Sequence, residues 1–96
     1  MSKVITDAIK NKQVIEFYYD GGPRTVEPHC FGTTTAGNPG LRGYQTAGYS
    51  SSGSLGWKMF DMSKASGIKT SGNTFSGPRP GYKRGDRGMS SINAEL

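Results

Sequence analysis

Apolar residues in this chain come in short runs separated by polar, glycine-rich stretches, and the runs follow two different periods. Near the N-terminus Val4, Ile5, Ala8 and Ile9 recur at the spacing of one helical face, while Asp7, Lys10 and Lys12 fall away from it. The pattern predicts an amphipathic helix from Ser2 to Lys12, with Ser2 a candidate N-cap and Lys12 placed at the negative end of the helix dipole. A helix this short persists only when docked, so its apolar stripe is expected to cover a sheet.

From Gln13 the period becomes two. Gln13 to Asp20 reads as a strand with Val14, Glu16 and Tyr18 on one side and Ile15, Phe17 and Tyr19 on the other, the second set forming the core face. Asp20-Gly21-Gly22-Pro23 is a turn. Arg24 to Pro28 begins the return strand, which Pro28 confines to an edge or ends, and His29 to Phe31 continues extended. Gly32 to Gly40 reads as a loop. A hairpin follows, with arms Leu41 to Tyr49 and Trp57 to Met62 around a Ser/Gly loop from Ser50 to Gly56. Ser63 to Thr70 crosses a turn at Ser66-Gly67, and Ile68 starts a short closing strand.

This succession predicts a mainly β fold of about five antiparallel strands with an N-terminal helix. Curling into a small SH3-like or Sm-like barrel removes the exposed edges. The barrel with its helix is assigned to residues 1–70. Residues 71–96 change character: the stretch is rich in Gly, Pro and Arg and cannot form a long regular element. It is either a disordered arm or an irregular one that wraps the barrel, with Phe75 and Tyr82 as anchors.

Composition narrows the function. Ninety-six residues fit one small domain, and an apolar fraction of 32% with fifteen glycines predicts a thin core and many turns. A formal charge of +5 favours anionic partners such as nucleic acid, nucleotides or an acidic protein surface; the plainer alternative is a solvated basic surface. Cys30 is the only cysteine, which excludes an internal disulfide and fits a reducing cytoplasm. The N-terminal stretch is amphipathic and lacks the apolar region of a signal peptide, and no run approaches the ~20 apolar residues of a spanning helix. The expectation is a cytoplasmic protein with no membrane partner.

The hairpin gathers aromatic and cationic residues, and by itself is core, ligand platform or both. Arg24, Arg42, Lys58 and Lys64 are the basic residues of the expected strands. Were they to converge, they would clamp phosphate, while Tyr44 and Trp57 would stack a base at roughly 1–3 kcal/mol each. Scattered on the surface, with Trp57 in the core, they would do neither. His29 is a further candidate for the ligand site. Adjacent to Cys30 it points to the opposite side of a strand, and one Cys with one His does not make a zinc site, so no metal and no cofactor are expected. There is no phosphate-binding glycine loop, no carboxylate pair and no nucleophile with an evident base, so an enzyme is not expected. In the arm, Arg79, Lys83, Arg84 and Arg87 stand against Asp86 alone, and are candidate contacts to a phosphate backbone.

The order of these features resembles the WYL domain family over roughly residues 5–70. Ala8-Ile9-Lys10-Asn11-Lys12, the strand Val14 to Tyr19, Gly21-Gly22 and Arg24-Thr25-Val26-Glu27-Pro28 are similar to that family's opening helix and first strand pair. Leu41-Arg42-Gly43-Tyr44 occupies the place of the name-giving Trp-Tyr-Leu strand, with only Tyr44 matching an aromatic, and Trp57 to Lys64 resembles a later strand with lysine in place of arginine. The resemblance implies an Sm-like ligand-sensing or nucleic-acid-binding module, of a kind also used as an accessory in prokaryotic or phage defence. It places Arg24, Tyr44 and Lys58 on one face, with Trp57 mainly in packing. Arg42 is read as off Tyr44's side of its strand and as the weakest member. The expected function is non-enzymatic binding of nucleic acid or a nucleotide in a regulatory or defence process. The alternative is a protein-interaction module docking on a partner protein, and a homodimer is an open possibility.

Overall fold

A computed structural model describes residues 2–96. The helix α1 (Ser2–Lys10) precedes β1 (Gln13–Tyr19), β2 (Gly22–Thr34), β3 (Pro39–Gly48), β4 (Gly56–Asp61), a single 3-10 turn (Met62–Lys64), β5 (Ala65–Thr74) and β6 (Met89–Glu95). Every strand pairing is antiparallel. The order in the sheet is β4-β3-β2-β1-β5, with β6 also paired to β2.

The class is as expected: mainly β, antiparallel, with one short helix. The barrel, however, is not closed, because β4 and β5 lie at the two ends of the hydrogen-bonded path. Side chains bridge the gap instead. Phe17 on β1 and Phe60 on β4 sit three places apart in the sheet, yet their rings meet edge to face at 5.1 Å. Tyr19 meets Phe60 at the same distance, and its hydroxyl accepts the Asp61 N–H at 3.2 Å. A flat sheet keeps such strands about 14 Å apart, so this one is strongly curled.

Local chemistry explains most boundaries. The helix ends two residues earlier than expected, where Lys12 takes a left-handed conformation (φ 52°). The N-cap role expected of Ser2 concerns a side chain outside what the structure describes. Asp20 and Gly21 both have positive φ, 44° and 97°, so they alone form the turn between β1 and β2. Such a turn matches the twist of the flanking strands. Gly22 and Pro23 therefore belong to β2.

Pro28 neither ends β2 nor lies on an outer edge. One side of β2 pairs with β3 throughout. The other pairs with β1 up to Val26 and with β6 from Cys30. Pro28 falls in the gap between those two partners, where a missing N–H is harmless. Only residues 35–38 of the expected Gly32–Gly40 loop form a turn. The turn expected at Ser66-Gly67 is absent: β5 starts at Ala65 and runs to Thr74, past the expected limit at residue 70. Residues 75–88 are irregular as anticipated, but 89–95 form β6. Gly32 admits that strand, since a Cβ there would sit 2.1 Å from the Ser91 carbonyl oxygen.

The core lies on one face of the sheet. Ile5, Ala8 and Ile9 of α1 pack with Ile15, Phe17, Val26, Phe31, Leu41, Phe60, Met62 and Ala94. Ile15 and Phe17 are buried, Tyr19 is half-buried and Tyr18 is exposed, as the period-two reading of β1 expects, but Val14, expected on Tyr18's side, is buried too, beside the register shift between Gln13 and Ile15. Val4, expected on the helix stripe, is exposed. The opposite face carries Glu27, His29, Arg42, Tyr44 and Trp57, and residues 75–88 cross it as a strap. The chain thus has two layers on its sheet, a helix on one side and an irregular strap on the other.

Candidate anion-binding site

The strap face is built around β2 and β3. Tyr44 pairs with Trp57 across β3 and β4, and their rings meet edge to face at 5.4 Å. His29 is fully buried beneath the strap, with the Trp57 ring 4.7 Å away, Tyr82 at 5.1 Å and Phe75 stacked at 5.6 Å. Its tautomer follows from its neighbours. Nδ1–H donates to the Glu27 carbonyl at 2.8 Å, and Nε2 accepts the Arg79 N–H at 3.1 Å. Burial holds its pKa below the ordinary value, opposed by the Glu27 carbonyl and carboxylate and reinforced by Arg79. His29 is therefore a neutral anchor for the strap and has no free nitrogen for a ligand.

Three ion pairs fasten the strap to the sheet. Arg79 grips the buried Glu27 carboxylate through Nε and a terminal nitrogen at 2.7 and 2.9 Å, with its guanidinium 4.6 Å from the centre of the Tyr44 ring. Arg42 holds Asp86 at 2.7 and 3.3 Å. That contact, with the Gly88 N–H, keeps the Asp86 carboxyl below the usual carboxylate range despite partial burial. Arg84 pairs with Glu95 of β6 at 3.1 Å, and the Gly85 N–H donates to the same carboxylate at 3.0 Å. The Tyr82 hydroxyl donates to the His29 carbonyl, and burial above all pushes its pKa up to about 12.

Together these contacts shape a concavity of about 690 Å³. It is lined by Arg42, Trp57 and the loop Gly81 to Arg87, which contributes Lys83, Arg84 and Arg87. Four cations and one carboxylate, Asp86, border it. Among the described residues Lys83 and Arg87 have no carboxylate partner, and both are exposed. The site is electropositive, with an indole in its wall.

The expected site is redistributed. Arg24 is buried at 3% exposure on the core face. It donates to the Tyr19 carbonyl and Gln45, and lies against the rings of Tyr19, Tyr49 and Phe60. It therefore does not meet Tyr44, which is on the strap face under Arg79. Lys58 pairs across from Gly43, not on Trp57's side, and its ammonium donates to Ser50. Lys64 is exposed in the 3-10 turn beside Asp61. Arg42 shares a face with Tyr44, contrary to the expectation, because residues two apart on a strand point the same way. It joins Lys83, Arg84 and Arg87 at the concavity, while Arg79 is engaged by Glu27. Trp57 packs as expected and also lines the site. Glu27 and Asp86 were not anticipated as strap anchors; the one available signal was a lone aspartate in a basic arm.

No protein-family model matches this chain, and no curated protein or solved structure matches it significantly. Among the described residues, no helix is long and apolar enough to cross a membrane.

Proposed function

We propose that the chain is a non-enzymatic, WYL-like binding module that takes nucleic acid or a nucleotide into the strap concavity, and so modulates a regulatory or defence process. The observation that carries this reading is the convergence of Arg42, Lys83, Arg84 and Arg87 around a concavity walled by Trp57. Guanidinium and ammonium groups supply phosphate contacts, and an indole supplies a stacking surface for any base. The volume lies within the range of small-ligand sites. Supporting it further are the net charge of +5 and the resemblance of the first 70 residues to the WYL family.

Trp57 is the only tryptophan, so its fluorescence reports on this site without a label. Titrating single-stranded RNA, single-stranded DNA and a nucleotide panel at low salt is expected to quench or shift that emission for at least one ligand. Lys83→Ala with Arg87→Ala is expected to weaken the response. An unchanged emission and no retention of any oligonucleotide at low salt would sink the proposal.

The unpaired outer edges of β4 and β5 favour the second reading, docking on a partner protein through strand addition. Under that reading the Lys83/Arg87 double variant keeps its partner.

A further inference from the structure

Pro78-Arg79-Pro80 sits on the sheet as a peptide ligand sits in a receptor. The Arg79 side chain is read twice, by the buried Glu27 carboxylate at both oxygens and by the face of Tyr44. The backbone is read at two points: the Trp57 indole N–H donates to the Pro80 carbonyl at 3.0 Å, and His29 Nε2 accepts the Arg79 N–H at 3.1 Å. A carboxylate for the guanidinium, an aromatic wall and an indole donor for a proline carbonyl are the elements that recognise proline-rich segments with one basic residue.

Beyond the seated tripeptide, side chains hold the rest of the strap: Tyr82 donates to the His29 carbonyl, Arg42 pairs with Asp86 and Arg84 with Glu95. Among the described residues, backbone–backbone bonds join residues 75–88 to the sheet side only near their ends, from Phe75 N–H to the Lys12 carbonyl, from Met89 N–H to the Asp86 carbonyl and from Thr35 N–H to the Gly88 carbonyl. Glycines at positive φ flank the seated segment, Gly77 at 148° and Gly81 at 92°. The segment can therefore lift without unpairing β5 or β6. A vacated seat would leave Glu27 a buried carboxylate with no cation, a state that a second arginine relieves.

We propose that Glu27, His29, Tyr44 and Trp57 form a recognition site for an arginine flanked by prolines in a partner protein, and that the chain's own Pro78-Arg79-Pro80 holds it in a self-occupied state. A partner segment of the same chemistry displaces the strap. This goes beyond anion binding and stands on different residues, Trp57 apart.

The test uses the full chain with Arg79→Ala, which empties the arginine seat, and a synthetic peptide of residues 76–82, Ser-Gly-Pro-Arg-Pro-Gly-Tyr. The Trp57 indole N–H resonance is followed by NMR, with circular dichroism as the fold control. The expected result is saturable binding that moves the indole resonance toward its wild-type position. A peptide with alanine for arginine is expected to bind at least about tenfold more weakly, as is the native peptide on Arg79→Ala combined with Glu27→Gln. If Arg79→Ala does not fold, Arg79→Lys is titrated in its place, and displacement of its weakened strap is the expected result. A folded variant whose indole resonance ignores millimolar peptide, or that binds both peptides equally, overturns the proposal. So does a variant that dimerises and ignores the peptide, since that result gives the seat to a second copy.

Discussion

The Arg79 guanidinium meets both oxygens of the Glu27 carboxylate, at 2.7 and 2.9 Å, across 52 residues of chain. This pair joins the longest strand of the sheet to the strap, and it is asymmetric: the Glu27 side chain is 8% exposed and that of Arg79 41%. Glutamate therefore depends on arginine more than the reverse. Arg79→Ala is expected to lower the thermal midpoint and to loosen the strap. Arg79→Lys should recover only part of the loss, because an ammonium does not reproduce a two-point fork. Thermal unfolding of the three proteins at one pH checks the order.

Acid should weaken the same region through His29. Its folded pKa lies below its ordinary value because it is buried, so on acidification the unfolded chain takes up the proton first. The neutral ring's contribution is whole above about pH 6.5 and is lost as pH falls from there toward the lowered folded pKa, at no more than about 1.4 kcal/mol per pH unit. Protonation also places a donor against the Arg79 N–H. The groups facing the ring are Glu27, Arg79, Tyr82, Trp57 and Phe75. Unfolding midpoints at pH 7.5 and 5.5 should fall more for the wild type than for His29→Gln, and equal falls would exclude His29 as the cause.

Arg24 separates stability from binding. It is buried and donates to the Tyr19 carbonyl and Gln45. Arg24→Ala is expected to destabilise the fold by about 1.5–3 kcal/mol, the range for losing a hydrogen bond from a charged group. Per folded molecule, oligonucleotide affinity should not change. Urea unfolding gives the first quantity and the Trp57 titration the second.

The Cys30 thiol is fully buried, and burial together with the Asp86 and Glu95 carboxylates pushes its pKa up to about 11. A thiol reagent at pH 8 should leave the native protein untouched and modify it at the rate of unfolding. Fast stoichiometric labelling of folded protein would contradict the placement of β6 and the strap.

Binding at the concavity should follow salt. Each lost phosphate contact to a single strand reduces the slope of log affinity against log salt by roughly 0.7. Lys83→Ala and Arg87→Ala, tested separately, are each expected to reduce it by about that amount. Lys64→Ala, in the distant 3-10 turn, should leave the slope unchanged.

The sequence alone determined the elements that depend on neighbours in the chain. The period of α1, the alternation in β1, the Asp20-Gly21 reversal and the Leu41–Met62 hairpin all follow from residues a few places apart, where propensity and turn geometry act. It also placed the basic charge in the arm, and named Lys83, Arg84, Arg87 and Arg42 among the candidates. What only the tertiary structure decided is which charges are buried, paired or left open. Arg24 and Tyr44 are both strand residues, but the curl and bulges of β2 and β3 put them on opposite faces. Glu27 finds Arg79, and Arg42 finds Asp86, across 52 and 44 residues. β6 reaches β2 only because Gly32 lacks a side chain. Such contacts are set by strand register and close approach across the folded chain, which no local pattern encodes, so the residues of the site were legible one by one while their meeting was not.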